Sequence, residues 1–415
     1  MLLILRNPRF RLLWASSVVN YMGLMFYFTV HGWLALTVTE SKFWVGATFG
    51  FNGLSIMLFS TAAGVLADRL NRKYLILAAL FFQVCVAAAI ATLIFAEQIQ
   101  LWHIIVTAFL DGAIMSVKVP SRTALVLDVA GRSNMLKATA ANFAAMTSAG
   151  IVIPPIAGLM VDTHGIGWAY FAMSGLFAIS GILLTFLRGV RRTQIKSEAS
   201  PVQDFKNGVS YVFSTPAVRL LFVLMLTSEL FGWAHETMMP VMADEVIDAG
   251  PTGLGYLLSA GSTGALVASL VLSAFGDIRT KGAALITGYI GFGLFLTLFA
   301  LSNSLLISLV LIAAAHASAA LYETMLGTLL QTTVPDEMRG RVLSFQMFSW
   351  GFTGFSGFHT GAIAALLGAP LAIGIGGGIL VVNGLRLVRS LAGKYRGGES
   401  TLARTSEESI EPSKR

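Results

Sequence analysis

The sequence predicts an all-α polytopic membrane protein, with twelve transmembrane helices in two pseudo-symmetric six-helix bundles. Three observations lead there. The 415 residues are 55% hydrophobic and only 12% charged, about half the ~25% charge of a soluble domain. The charges divide the chain into apolar runs long enough to cross a bilayer. Nearly every Lys and Arg then falls at alternate ends of those runs, the positive-inside pattern.

The runs set the elements. Residues 43–67 and 74–96 hold no Asp, Glu, Lys or Arg, and about 20 apolar residues at ~1.5 Å each span a ~30 Å hydrocarbon core. Residues 282–322 and 342–385 are charge-free over 41 and 44 positions, too long for one crossing each. They divide at Ser302-Asn303-Ser304 and at Gly368-Ala369-Pro370. The expected spans are 12–37, 43–67, 73–96, 101–118, 138–161, 167–187, 217–242, 252–275, 281–301, 305–326, 343–367 and 370–389.

With the amino terminus inside, only Lys42 of the 28 Lys and Arg falls outside. Both termini are therefore expected in the cytoplasm, in a bacterial-type inner membrane. The net charge of +7 follows from topology and excludes a nucleic-acid partner. Met1–Arg6 is too short an apolar run for a signal peptide. Cys85 is the one cysteine, so no disulfide framework, metal site or cofactor is expected, and a small core residue is its plain reading.

The chain repeats at half its length. Asp68–Lys73 is echoed by Gly276–Lys281, and the stretch at 119–137, read as a long inside loop, is echoed by 327–341. This divides the protein into a bundle at 1–187, a cytoplasmic linker at 188–216, a second bundle at 217–392 and a disordered cytoplasmic tail at 393–415. Asp204–Phe213 in the linker is amphipathic and is expected on the inner membrane surface.

Gly64-Val-Leu-Ala-Asp68-Arg69-Leu-Asn71-Arg72-Lys73 packs four ionised groups into six positions between two spans. Gly64 leaves room for a neighbouring helix. Asp68, at the unfavourable end of a helix dipole, needs a partner such as Arg72. Asn71 is expected to keep a left-handed turn. The stretch resembles the loop signature between spans 2 and 3 of the major facilitator superfamily, with Asn71 where that family prefers Gly. The resemblance implies two rocking six-helix halves and a conformational gate at Gly64, Asp68, Arg69, Arg72 and Lys73. Asp277, Arg279, Arg339 and Arg341 form the corresponding set in the second half. Val334–Val342, Asn7–Trp14, Asn207–Tyr211 and Gly253–Ala260 are similar to the macrolide-efflux and enterobactin-exporter branch, the transmembrane secretion effectors.

An ionisable residue at mid-helix costs roughly 2.5–3.5 kcal/mol on insertion scales, so each calls for a reason. Asp111, Glu229, Glu236 and Glu323 are the candidates for proton coupling, with His235 beside Glu236. Glu229 and Glu236 lie seven apart, on one helical face. Each is equally readable as an acid paired with a neighbouring helix. Related antiporters carry an acid in span 1 and an Arg in span 4; neither is read here. Asn20, Asn52, Asn142, Trp233 and Gln346 are candidates for the substrate path, or for simple bonding between helices. Gly150, Pro154, Pro155 and Gly158 resemble a signature associated with antiporters; the prolines bend the helix and the glycines permit close approach. Glycines 351, 354, 357 and 361 lack a following P-loop Lys and read as helix packing.

No enzyme chemistry is visible. The leading expectation is a secondary active transporter, expected as a monomer, that exports a small amphipathic molecule (drug, siderophore or metabolite) by alternating access with proton antiport. An uptake permease of the same fold and a non-transporting membrane sensor are the alternatives.

Overall fold

The computed structural model describes residues 4–189, 201–276 and 280–408, and the side chains of all of these except 61, 65, 67, 68, 201–207, 275, 336–337, 339–348, 350 and 390–408. The first bundle comprises α1 (Pro8–Thr39), α2 (Lys42–Arg69), α3 (Arg72–Phe95), α4 (Leu101–Ala130), α5 (Met135–His164) and α6 (Ile166–Thr185). A short helix α7 (Pro201–Ser214) falls where the amphipathic segment is expected and lies against α2 and α12. The second bundle comprises α8 (Pro216–Val246), α9 (Gly250–Phe275), α10 (Lys281–Ala300), α11 (Leu305–Thr333), α12 (Asp336–Leu367) and α13 (Ala369–Glu408). Eleven of the twelve long helices meet the length and apolarity of a membrane crossing within the described residues. The twelfth, α12, is 32 residues long and carries the charge-free run that begins at 342.

The helix pairings repeat between the halves. Contacts α1–α5, α1–α6, α2–α4, α3–α4 and α3–α6 recur as α8–α12, α8–α13, α9–α11, α10–α11 and α10–α13. The halves meet chiefly through α2 on α12 and α5 on α9, a pair that the same repeat exchanges.

Those contacts concentrate at one end of the molecule, the end that carries Glu40 and Ala249. Gly46 and Gly53 of α2 lie against the backbone of Gly357, Gly361, Gly351 and Phe355 of α12, so closely that a Cβ would overlap main-chain atoms. On the other side, Gly158 of α5 abuts Pro251 and Thr252, and Gly255 of α9 abuts Pro154 and Pro155. Lys42 bonds Glu245 at 2.6 Å, and Asp162 accepts from both the backbone N–H and the hydroxyl of Thr252. At the opposite end, Gly64, Gly276 and Gly327 have no neighbouring atom within 4 Å of where a Cβ would stand. The two halves are thus sealed at the Glu40 end.

The prolines of α5 tie into this seal. Pro155 has no N–H for the carbonyl of Ile151. Ser259 of α9 supplies the missing donor across the interface, at 2.6 Å. Ser259→Ala should leave that carbonyl unpaired only in the sealed state, a penalty of about 1–3 kcal/mol. Labelling rates of a cysteine placed at the seal should rise about five-fold or more. Lys42→Ala, by contrast, should move that equilibrium by no more than about 1 kcal/mol in the same assay, because its partner side chains are 29% and 36% exposed.

Several expectations need correction. Residues 119–130, read as loop, continue α4, and 327–333 continue α11; charges that mark a loop in lipid are tolerated in a helix when the bundle buries and pairs them. Helix α12 starts at Asp336, so Arg339 and Arg341 lie within its first turns rather than in a loop. Asn71 is not left-handed: at φ −73° and ψ 114° it caps α3, its side chain accepting from the Lys73 N–H at 3.1 Å. Arg72 pairs with Asp128 of α4, at 2.7 Å, while the side chain of Asp68, for which Arg72 is the expected partner, lies outside the described residues. Gly64 admits no neighbouring helix here, because the halves part at its end. Cys85 is exposed on α3 rather than in the core; lipid accepts an apolar surface as readily as a core does. Helix α13 runs to Glu408 where a disordered tail is expected from 393, since extending a formed helix adds one bond per residue without a new nucleus. Residues 409–415 lie outside the described chain.

Candidate functional site: acidic and histidine clusters of the second bundle

Helix α8 is central to its bundle and touches α1 and α2 of the other half. It is also the least regular helix. After Thr227 it widens to a π turn over Ser228–Gly232, tightens to 3₁₀ over Trp233–Met238, and widens again over Met242–Val246. Pro240 explains the tight part. It lacks the N–H that would reach the Glu236 carbonyl, and the Met239 N–H takes that carbonyl one residue early. The irregular turns fall where the acids are, and such turns are frequent at functional sites.

Glu229 and Glu236 of α8 both lie near enough to Glu323 of α11 for their charges to interact. Glu229 is buried (8% exposed) and accepts from the Thr353 hydroxyl of α12. Glu236 is half-buried, and Glu323 is exposed while accepting from the Trp233 indole at 3.0 Å. The ion pairs Lys42–Glu245 and Arg72–Asp128 lie apart from this trio. Three carboxyl groups this close cannot comfortably ionise together, because like charges disfavour one another. Beside them, His235 Nε2 meets His316 Nε2 at 3.2 Å, with His235 Nδ1 donating to the Gly232 carbonyl at 2.8 Å. That bond leaves His235 Nε2 as acceptor, so His316 Nε2 donates. Gly261 of α9 makes room for the His316 ring.

Asp111 lies elsewhere, inside the first bundle. It is 6% exposed and accepts from Gln83 Nε2 at 2.6 Å, while Gln83 Oε1 accepts from Lys118 Nζ at 2.5 Å. Lys118 lies over the Phe177 ring at 5.2 Å. One turn further on, Arg122 donates to Ser17 of α1 at 2.8 Å. Span 4 therefore does carry a buried Arg, contrary to the reading that ended it at 118.

The substrate-path candidates separate likewise. Trp233 holds Glu323. Asn52 donates to the Ala108 carbonyl of α4 at 3.1 Å, a bond between helices. Asn20 and Asn142 each carry a buried side-chain oxygen with no partner among the described residues. The side chain of Gln346 lies outside the described residues, as do those of Asp68, Arg339 and Arg341 and all of Asp277 and Arg279. At the start of α3 Lys73 donates to the carbonyls of Thr185 and Leu187 at 2.8 and 2.7 Å, closing the end of α6. Gly150, Pro154, Pro155 and Gly158 all lie on the α9 contact.

Asp128 and Thr353 escaped the sequence reading. Asp128 had a signal: a lone acid in the apolar run Ala124-Leu-Val-Leu-Asp-Val-Ala, close to a loop rich in cations.

The whole chain, residues 2–408, matches the profile of a family described as transmembrane secretion effector. The chain belongs to that family, within the major facilitator superfamily. This secretion-effector chain is 24% identical to the Enterobactin exporter EntS of Escherichia coli O1:K1 / APEC over 355 residues, 81% of this chain and 80% of the relative. The EntS of Escherichia coli O139:H28 aligns over the same length at the same identity. Its fold matches the crystal structure of the nucleoside transporter NupG, with a TM-score of 0.75 at 11% identity over 92% of this chain and 98% of NupG. It also matches a bacterial homolog of the human lysosomal transporter Spinster in an inward-facing, unoccupied conformation, at TM-score 0.68 and 12% identity, over 93% and 95% of the two chains. Both likenesses concern the fold. The secretion-effector chain is a multi-pass membrane transporter of the major facilitator type, with a small molecule as its substrate class, and it is not an enzyme.

Proposed function

We propose that the protein exports a small amphipathic molecule across the inner membrane by alternating access, with protons entering as substrate leaves. The observation that carries this reading is the acidic trio: an exposed Glu323 held by Trp233, coupled to Glu229 and Glu236, at the irregular centre of α8. A carboxyl group there can take a proton in one state of the halves and release it in the other. The placement of basic residues supports cytoplasmic termini, which makes the sealed Glu40 end the outer one and the state inward-facing. The similarity to an enterobactin exporter supports the outward direction and a small amphipath such as a siderophore as substrate. The charged loops between α2 and α3 and between α9 and α10 serve as gates that close when the outer end opens, and the protein works as a monomer.

Inside-out vesicles, acidified within and reported by a pH-sensitive dye, test the proposal with enterobactin as the first probe. Addition of the probe should dissipate the pH gradient, and the probe should accumulate. Glu323→Gln should keep exchange of labelled for unlabelled probe but lose accumulation. Each charge moved across ~100 mV contributes about 2.3 kcal/mol, roughly a fifty-fold concentration ratio. Accumulation that survives Glu323→Gln and Glu236→Gln undiminished would rule these acids out as the coupling site.

A further inference from the structure

Within the first bundle a cavity of about 20 Å³ lies among α1, α3, α4 and α6, lined among others by His31, Gln83, Thr107, Asp111 and Tyr170. A single water needs roughly 10–15 Å³ by the same measure, so the space takes one water and little else. One polar atom on its wall has no protein partner: His31 Nε2, on a side chain 1% exposed. An orphaned ring nitrogen this deep is rare, and each instance demands an explanation.

We infer that this cavity binds one water molecule, which joins His31 to Asp111 and makes them a single protonatable unit inside the first bundle. The site is separate from the acidic trio of α8 and α11.

The bonding around the cavity accommodates such a water. Gln83 is fixed at both ends, by Lys118 on its oxygen and by Asp111 on its nitrogen. Asp111 is therefore an acceptor toward Gln83, with lone pairs to spare for the water. His31 Nδ1 lies 3.0 Å from the Tyr170 hydroxyl. With Tyr170 donating to Nδ1, Nε2 carries the hydrogen and donates to the water, which in turn donates to the Asp111 carboxylate. Every polar group then has a partner.

The same line carries one proton. A proton from the medium bonds to the Tyr170 oxygen as the Tyr170 O–H bond breaks and that proton goes to Nδ1; the Nε2–H bond breaks and its proton goes to the water; a water O–H breaks and its proton goes to Asp111. His31 ends neutral in the other tautomer, Asp111 ends as the acid, and Tyr170 becomes the acceptor. The unit gains one positive charge. The ionisable groups facing it are Tyr27 and His31 from α1, Asp111 and Lys118 from α4, and Tyr170 from α6. Asn52 of α2 and Gln83 of α3 face it without titrating. Tyr27 stacks on His31 at 4.7 Å and holds the ring in place.

Infrared difference spectra of the full chain in nanodiscs, taken on acidification in ordinary and in heavy-oxygen water, test this directly. Heavy oxygen moves water bands and leaves carboxyl bands in place. The wild type should show one carboxyl protonation signal that appears together with one water band. Asp111→Asn should remove both. His31→Phe should remove the water band and displace the carboxyl signal, whereas His31→Gln, which keeps a polar end, should preserve both. Ala87→Leu fills the cavity without touching either group and should also remove the water band, so the test stands if His31→Phe does not fold. Glu323→Gln should leave both signals unchanged, which separates this unit from the coupling proposed above. A water band that is absent, or one that persists through Asp111→Asn and Ala87→Leu, would overturn the inference.

Discussion

Arg72→Ala should destabilise the protein by about 3–5 kcal/mol, because it removes a charged, hydrogen-bonded partner from a buried acid. The Arg72–Asp128 side chains are only 6% and 3% exposed and lie 2.7 Å apart. The bond fastens the start of α3 to the end of α4, next to the place where Lys73 closes α6. The damage arises from the acid left behind more than from the bond lost. Arg72→Ala combined with Asp128→Asn should therefore recover much of the stability, and thermal unfolding of the four proteins of that cycle measures it. An Arg72→Ala protein that unfolds with the wild type would show that Asp128 is held by something else.

Gly357→Val should abolish cycling while leaving the protein folded. Its new Cβ meets the carbonyl and backbone of Gly46 across the half-to-half interface, and a main chain cannot swing aside as a flexible side chain does. Overpacking of this kind costs about 1–3 kcal/mol or more. Here the cost falls only on the state sealed at the Glu40 end, so the halves separate there instead of unfolding. Transport should drop at least about five- to hundred-fold, following that shift in population. Gly64→Leu supplies the opposite case: it meets nothing in this state and should instead hinder closure of the other end. Accessibility of a single cysteine at the seal should rise in Gly357→Val and fall in Gly64→Leu. Equal accessibility in the two would refute the assignment.

The crossings were legible because a bilayer leaves the chain little choice: charge-free runs of sufficient length become helices, and turns fall where charges or Pro and Gly collect. The same rule misplaced the ends of α4 and α11. Lys118 and Arg122 read as loop residues when judged against lipid, but the bundle offers Gln83 and Ser17, and no local pattern announces such partners. Glycines at three- and four-residue spacing in α12 correctly foretold packing, yet the partner glycines of α2 were invisible as such. Ser259 could not be recognised as the donor for Ile151 without knowing that α5 and α9 touch. Glu229, Glu236 and Glu323 were individually conspicuous. That α8 and α11 bring them into one neighbourhood has no trace in the sequence, and of the π and 3₁₀ turns around them only Pro240 gives one. Asn71 shows the reverse error, where a residue known for turns serves as a helix cap.

Alternation between a state sealed at the Glu40 end and one sealed at the other is the claim on which the rest depends. Pulsed spin-label distances on one helix pair, α5 and α9, test it most directly after Cys85 is replaced. One labelled pair stands at Asp162 and Thr252, in the seal, and a second at Leu136 and Ser273, at the far end of the same two helices. On acidification, or with enterobactin added, the first distance should lengthen while the second shortens. Distances that change together, or a first pair that stays closed under every condition while transport proceeds, would contradict the account.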